Sequence, residues 1–165
     1  MNSSNSRNNS TLVSKEPRIG FPGNSALGAR GEALAAAYLE SQGYRIVVTN
    51  FKVPVGRNRA GAAVTGEIDI IALEGRTLCF VEVKTRRSED FVPVIAAVDK
   101  QKMRQITRTA RVYRRLFAVT DMAIRYDVVT ILAPRHAEPA ITLTKAFWNE
   151  ASLKKRAWTS DKWMN

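Results

Sequence analysis

Two neighbouring runs of β-forming residues, joined by a short turn, constrain the fold of this chain more than any other feature. Residues Gly66–Leu73 and Thr77–Thr85 are rich in Ile, Val, Phe and Thr, and Gly75 lies between them. Two such runs separated by a short segment with glycine predict an antiparallel β-hairpin. A chain of 165 residues is long enough to build one domain around this hairpin, and too short for two comfortable ones.

The patterns on either side of the hairpin predict helices and further strands. Apolar residues at helical spacing predict helices over Leu27–Gln42 and Asp99–Phe117, with Asp99 as the N-cap of the second. Shorter β-rich runs predict three more strands, at Tyr44–Val48, Tyr126–Leu132 and Ile141–Leu143. Arg125 and Asp127 alternate on the fourth strand and are predicted to form a structural ion pair. The element order is αβββαββ, which predicts a mixed α/β domain.

Both ends of the chain are expected to lie outside this domain. Residues 1–24 are rich in Asn, Ser and Gly, which predicts a disordered leader, and residues 150–165 predict a basic tail, so the domain covers 25–149. No apolar stretch approaches the roughly 20 residues that span a bilayer. The single cysteine, Cys79, cannot form an intramolecular disulfide, so we expect a cytoplasmic protein.

Charged residues interrupt the apolar pattern of the hairpin. Side chains alternate along a strand, so Glu82 and Lys84 are expected to share one face, and Asp69 is expected to share a face with Ile71 and to lie opposite Ile68 and Ile70. A turn of even length brings Asp69 to the face of Glu82, and an odd turn separates them. The sequence allows two turns of even length, one of two residues (74–75) and one of four residues (74–77).

Two carboxylates and a lysine on one face predict a phosphodiesterase site. One cysteine and one histidine cannot build a zinc site, so any metal must be held by oxygen. Asp69 and Glu82 supply the oxygen ligands that Mg²⁺ or Mn²⁺ takes, and Lys84 can orient a water or balance phosphoryl charge. The alternative is a Glu–Lys pair on a solvated strand face.

Several motifs resemble those of a known family. They lie between residues 26 and 148 and are Gly31-Glu32, Gly43-Tyr44, Asn50-Phe51, Gly66–Ala72, Phe80–Arg86, Lys100 and Arg125–Val129. This set resembles the YraN-like family, which is related to the archaeal Holliday junction resolvases of the PD-(D/E)xK superfamily. The resemblance implies a restriction-endonuclease-like mixed sheet flanked by helices, with Asp69, Glu82 and Lys84 in the D…E-x-K roles and Glu32 completing the metal shell. From the residues alone, Glu32 is equally well an acid favoured by the helix dipole.

One segment departs from the pattern of that family. The family usually runs almost directly from the Asn-Phe pair into Gly-Glu-Ile-Asp, whereas residues 52–65 intervene here. The segment contains Arg57 and Arg59 and no acid. We therefore expect an inserted, flexible basic loop that follows phosphates, and a tolerated surface insertion is the alternative.

Positive charge is concentrated in and before the second predicted helix. The chain has a net charge of +11, and residues 84–115 contain ten basic residues against three acids. A run of one sign lacks the i,i+4 partners that stabilise a charged helix, which favours a phosphate backbone as its partner, although a solvated helix face is the simpler alternative. The predicted contacts outside the insertion are Arg86, Arg87, Lys100, Arg104, Arg108 and Arg111.

These features predict a metal-dependent DNA endonuclease, acting on branched DNA if the resemblance extends to substrate. The alternatives are a nucleic-acid-binding module that does not cleave, and a scaffold that docks on acidic proteins or RNA. A resolvase must cut two strands, and this chain offers one E-x-K site, so we expect two copies on junction DNA. Repulsion at +11 favours a monomer without DNA.

Overall fold

The computed structural model of the protein describes residues 24–87, 98–134 and 136–153. The described residues form two α-helices and five strands in the predicted order, αβββαββ. The helices are α1 (Asn24–Ser41) and α2 (Lys100–Leu116), and the strands are β1 (Arg45–Arg57), β2 (Ala63–Glu74), β3 (Thr77–Arg86), β4 (Ala123–Leu132) and β5 (Ala140–Trp148).

The five strands form one mixed sheet in sequence order. Strands β1–β2, β2–β3 and β4–β5 pair antiparallel, whereas β3 and β4 pair parallel. A parallel pair needs a long crossover, and α2 lies in the crossover between β3 and β4. The sheet with a helix on each face has the predicted restriction-endonuclease-like α/β architecture.

Each helix covers its own apolar cluster. On one face, Ala35 and Leu39 of α1 pack with side chains of all five strands, including Ile70 and Val81. The cluster under α2 contains Ile68, Ile71, Leu78, Phe80, Ile106, Ala110, Tyr113, Tyr126, Val128 and Trp148. Helix α1 approaches β3 so closely that a Cβ at Gly31 would overlap the hydroxyl of Thr85, so this contact depends on glycine.

The turn between β2 and β3 has an even number of residues, which places Asp69 and Glu82 opposite each other on the two strands. Pairing runs from Glu74–Thr77 at the turn to Ile70–Val81. This pairing corresponds to the four-residue turn from Glu74 to Thr77, one of the two even turns that the sequence allows. Gly75 has a φ of 56°, a left-handed conformation that glycine adopts without strain.

The inserted segment is largely a two-stranded β-ribbon, so the expectation of a flexible loop over 52–65 is wrong. Strand β1 continues to Arg57 and β2 begins at Ala63, which leaves 58–62 as the turn. Proline is tolerated in β1 because this strand lies at the edge of the sheet. A register shift between Pro54 and Gly56 accommodates both residues without ending the pairing.

The ribbon is fixed at its base and at its tip. At the base, Val55 is buried, and a Cβ at Gly66 would overlap the hydroxyl of Thr109 in α2. At the tip, Oδ1 of Asn58 accepts hydrogen bonds from the N–H groups of Ala60 (3.0 Å) and Ala62 (2.9 Å). The ribbon therefore holds its basic side chains on an ordered support.

The strict alternation predicted for β2 is interrupted at Asp69. Ile68 packs with Ile71 in the cluster under α2, whereas Ile70 belongs to the cluster under α1. Across the ladder on β1, Asn50 has a φ of 53°, a conformation that asparagine tolerates better than most residues. The prediction that Ile68 and Ile70 share a face is therefore wrong.

The ends of the domain differ from the predicted boundaries. Helix α1 begins at Asn24, so the last residue of the predicted leader is helical, and the rest of 1–24 lies outside the described residues. Residues Ala151–Leu153 form a 3₁₀ turn beside α2, so the start of the predicted tail belongs to the domain, and 154–165 lies outside the described residues. None of the helices in the described ranges is long and apolar enough to cross a membrane.

Candidate active site

Asp69 and Glu82 lie where the pairing of β2 and β3 ends. The last pair of the ladder is Ile70–Val81. Beyond it, Oδ2 of Asp69 accepts a hydrogen bond of 2.8 Å from the backbone N–H of Val83. Asp69 is 8% exposed and Glu82 is 1% exposed. The two strands therefore hold a pair of buried carboxylates at the point where they part.

Two ammonium groups lie against the carboxylate of Glu82. Nζ of Lys84 is 2.6 Å from Oε1, and Nζ of Lys102 is 3.2 Å from Oε2. Each oxygen of the buried Glu82 carboxylate therefore faces one ammonium group. A carboxylate has about four lone-pair sites, so those that face neither ammonium can accept a further ligand.

The carboxyl of Asp69 is strongly perturbed by this environment. Burial, and then the nearby charge of Glu82, raise the pKa of Asp69 to about 7, while the Val83 N–H and the Lys102 ammonium act in the opposite direction. A cation between the two carboxylates would favour the charged form of both. The pair therefore has the electrostatics of a site that accepts a positive charge.

Lys102 belongs to this site, although the sequence did not single it out. The Asp99 side chain caps α2 by accepting a hydrogen bond of 2.8 Å from the backbone N–H of Lys102. Desolvation acts to lower the pKa of Lys102, but Glu82 and Asp69 raise it. Its only sequence signal is its place three residues after the predicted N-cap. The rotation of α2 on the sheet, rather than that spacing, selects it from the other basic residues.

Glu32 lies apart from the acid pair. Its Oε2 accepts a hydrogen bond of 2.8 Å from Nδ2 of Asn50, which lies across the ladder from Asp69. In the part of the chain that the structure describes, no group of three or more His, Cys, Asp or Glu side chains is placed to hold a metal ion. The structure thus brings together Asp69, Glu82 and Lys84 but not Glu32, whose role as a metal ligand stays a prediction.

The predicted phosphate contacts lie on three elements. They are Arg57 and Arg59 on the ribbon, Arg86 and Arg87 at the end of β3, and Lys100, Arg104, Arg108 and Arg111 on α2. All are exposed except Arg87, which is half-buried. The guanidinium of Arg108 reaches the ribbon, where a side chain at Gly56 would press against it. Arg108 therefore joins the basic surfaces of α2 and the ribbon.

A cleft of about 400 Å³ opens beside α2. Its lining consists of Arg104, Thr107, Arg108, Arg111, Glu150 and Leu153. Arg111 is paired with Glu150, at 2.6 Å. Among the residues that the structure describes, Arg104 and Arg108 have no ion-pair partner. Two arginines of this cleft are therefore free to contact an anion.

The fold and the D…E-x-K arrangement define a restriction-endonuclease-like domain with a candidate metal site. More particularly, the chain belongs to the family described as "Uncharacterised protein family UPF0102", which matches residues 31–131. It is 42% identical over 118 residues to a UPF0102 protein of Geotalea uraniireducens (72% of this chain, 85% of the relative). It is 40% identical over 131 residues to one of Chlorobium limicola (76% and 94%). The resemblance to the YraN-like family is thereby confirmed.

One solved structure is similar at the level of the backbone. It is described as "Crystal structure of SSO0001", with 18% sequence identity and a TM-score of 0.41. The match covers 81% of this chain and 56% of that chain. A likeness this distant adds nothing to the functional argument, which depends on the residues of this chain.

Proposed function

We propose that this protein is a divalent-metal-dependent nuclease that hydrolyses phosphodiester bonds in DNA. The observation that carries the proposal is the buried pair of Asp69 and Glu82, with Lys84 beside it. Mg²⁺ is usually bound by one or two protein carboxylates together with waters and substrate phosphates, and Mn²⁺ takes the same hard ligands. The buried carboxylates of Asp69 and Glu82 supply oxygen donors of that kind.

The acid pair and its neighbours have separate roles in this proposal. Asp69 and Glu82 hold the ion, which when bound supplies a water of lowered pKa and neutralises charge on the phosphate. The N–H of Val83 fixes the orientation of Asp69. The side chain of Lys84 is 28% exposed, so its ammonium can reach both the buried pair and a bound phosphodiester, where it balances developing negative charge.

The exposed arginines supply the contacts to DNA. Arg104 and Arg108 line the cleft beside α2, and Arg59 lies in the turn of the ribbon. Arg57 donates a hydrogen bond of 2.7 Å to the carbonyl of Gly61, which holds its guanidinium near that turn. The excess of positive charge on this surface supports a polyanion as the partner. The resemblance to relatives of junction resolvases suggests branched DNA as the preferred form.

Cleavage assays with matched DNA forms test the proposal. Fluorescent linear, single-stranded, flapped and four-way DNA are incubated with the protein and Mg²⁺, Mn²⁺ or EDTA. A Glu82→Gln variant, purified in parallel, controls for contaminating nucleases. Products that need metal and are absent with Glu82→Gln support the proposal. Equal cleavage by both proteins, or none under any condition, contradicts it.

A nucleic-acid-binding module without cleavage is the second candidate. It is favoured by the two lysines that already neutralise Glu82 and by the position of Glu32 on Asn50. Such a module would bind DNA equally well in EDTA and in Mn²⁺. Calorimetric titration with Mn²⁺, with and without DNA, separates the candidates, because this module has no use for the ion.

A further inference from the structure

The charges around Glu82 balance without a metal ion. Asp69 and Glu82 contribute at most two negative charges, and Lys84 and Lys102 contribute two positive charges within reach of Glu82. A divalent ion added to this arrangement would leave a largely buried site with an excess of two positive charges. Like charges repel strongly where water is excluded, so the free protein should bind the ion alone only weakly.

The negative charge of a bound phosphodiester would offset part of this positive excess. The phosphodiester in turn needs a cationic side chain of the site as its partner. Lys102 is better placed than Lys84 to serve as that cation. Lys84 is two residues from Glu82 on the same strand face, which keeps the two side by side. Lys102 reaches Glu82 from another element, α2, and its contact is the longer one at 3.2 Å.

The backbone of Lys102 can stay fixed while its ammonium moves. The Asp99 cap holds its N–H, and the four-carbon stem of lysine leaves the ammonium free to swing. Its side chain is 27% exposed, so solvent and substrate can reach it. The residue lies in the first turn of α2, where the helix dipole also favours a phosphate, and the exposed Arg104 follows on the same helix.

We propose that Lys102 is a substrate-phosphate ligand that rests on Glu82 in the free protein and transfers to the phosphate when metal and nucleic acid bind together. The inference rests on the proposed function, because it assumes a metal at Asp69 and Glu82. Its consequence is a positive coupling between metal and phosphate binding. Lys102 competes with the ion for Glu82 until a phosphate draws the ammonium away.

Calorimetric titration of Mn²⁺ into the full chain measures this coupling without cleavage. A nucleoside 3′,5′-bisphosphate serves as the phosphate probe, since it contains no phosphodiester, and its own Mn²⁺ binding is subtracted. For the wild type, we expect Mn²⁺ to bind about tenfold more tightly with the probe than without it, within the usual range of coupling between sites. An affinity that the probe leaves unchanged overturns the proposal.

Variants of Lys102 separate competition from a structural role. In Lys102→Met, Mn²⁺ alone should bind about tenfold more tightly than to the wild type, and the probe should add less than about threefold. Lys102→Arg keeps the charge and should keep the weak affinity. Arg115→Met removes an exposed positive charge from the far end of the same helix, without a contact to Glu82, so its Mn²⁺ affinity should stay within about twofold of the wild type.

The outcomes distinguish this inference from the proposed function. A merely structural ion pair would make Lys102→Met bind Mn²⁺ as the wild type does or more weakly, and either result overturns the inference while leaving the nuclease proposal intact. Absence of Mn²⁺ binding in every protein, with and without the probe, overturns the nuclease proposal and this inference with it. Thermal unfolding of each variant confirms that the compared proteins are folded.

Discussion

The side chain of Asp69 takes a main-chain partner on the neighbouring strand, because its Oδ2 accepts the N–H of Val83 at 2.8 Å. In a regular antiparallel ladder a backbone carbonyl would satisfy that N–H. A carboxylate in its place lets β2 and β3 end their pairing without leaving a buried donor unsatisfied. The acid pair is therefore built by the way in which the two strands separate.

Loss of Glu82 should remove cleavage but not binding. In Glu82→Ala we expect metal-dependent cleavage to fall to the level measured in EDTA, since a proposed metal ligand is lost. DNA affinity by fluorescence anisotropy should be nearly unchanged, because the proposed phosphate contacts lie on α2, on the ribbon and at the end of β3. Glu40→Ala, at an exposed acid on α1, is the control for loss of a carboxylate. Wild-type cleavage by Glu82→Ala would show that the site is misplaced.

The acid pair could be predicted from the sequence because it depends on a local rule. From the turn to Asp69 the side chains of β2 alternate with a period of two, so the number of turn residues decides whether Asp69 and Glu82 meet. The observed pairing of Glu74 with Thr77 corresponds to one of the two even turns that the sequence allows. The apolar composition of both strands identified the hairpin, and Gly75 identified its turn.

Features that depend on packing between distant elements could not be predicted in this way. Lys102 reaches Glu82 only through the docking of α2 on the sheet, which no spacing within the helix specifies. The conformation of Asn50, with its φ of 53°, leaves no signal that separates it from other asparagines. The insertion of residues 52–65 relative to the family pattern suggested a loop, but its Pro54 and Gly56 are compatible with pairing at an edge strand supported by α2.

The arginines of α2 should determine the salt dependence of DNA binding. Each phosphate contact that is lost lowers the slope of log K against log salt by about 0.9 on B-form DNA. We expect this change for Arg104→Ala and for Arg108→Ala, and a smaller one for Arg111→Ala, because Glu150 engages that side chain. The triple variant should lower the slope by about 1.8 or more.

The control for this series is Arg76→Ala, which removes one exposed charge from the hairpin turn. That turn lies at the opposite end of the β2–β3 ladder from Asp69. The slope of log K against log salt for Arg76→Ala should therefore match that of the wild type. An unchanged slope for the triple variant would place the DNA contacts elsewhere.

Arg125 should be critical for stability because it neutralises a buried acid. It donates two hydrogen bonds of 2.8 Å to Asp127, whose side chain is fully buried, which forms the predicted ion pair. Arg125→Met would leave this charge unpaired and should lower the free energy of unfolding by about 3–5 kcal/mol. Urea denaturation at neutral pH measures the change.

Two further variants show whether the buried charge is the cause. Adding Asp127→Asn to Arg125→Met should recover much of the lost stability, because the amide stays an acceptor for the N–H of Ala146 and has no charge. Lys145→Met removes an exposed partner of Glu74 and should have a much smaller effect. A double variant no more stable than Arg125→Met would contradict the explanation.

Glu150 should make stability fall in acid. Partial burial acts to raise the pKa of Glu150, but hydrogen bonds from Arg111 and Tyr126 outweigh it and lower that pKa. An acid with a lowered pKa in the folded state stabilises the protein above its ordinary pKa, and this contribution is lost as pH falls through the folded-state value.

Glu150→Gln should therefore lower the free energy of unfolding by about 1 kcal/mol at neutral pH, allowing for screening by solvent. The difference from the wild type should shrink as the pH falls below about 4.5, the ordinary pKa of a glutamate, because protonation makes the wild-type carboxyl neutral as well. Urea denaturation at several pH values measures it, with the exposed Glu138→Gln as control. A difference that grows in acid would have the wrong sign.

Assembly should depend on DNA. Two copies at +11 each repel within a Debye length of about 8 Å at physiological salt. In the described part of the chain, the exposed large apolar side chains are Val47, Leu116 and Phe117. These fall well short of the roughly 800 Å² per partner that a stable interface buries. We therefore expect a monomer in free solution and two copies on a four-way junction, where DNA screens the charge and presents equivalent arms.

Light scattering at micromolar protein measures the mass of the free protein and of its complex with junction DNA. A linear duplex of equal length is the control, because it neutralises the protein without offering two related arms. One copy on the junction would contradict the expected pairing. A dimer that persists in free solution at high salt would require an apolar interface larger than Val47, Leu116 and Phe117 provide, since strong salt weakens charge repulsion but supplies no contact of its own.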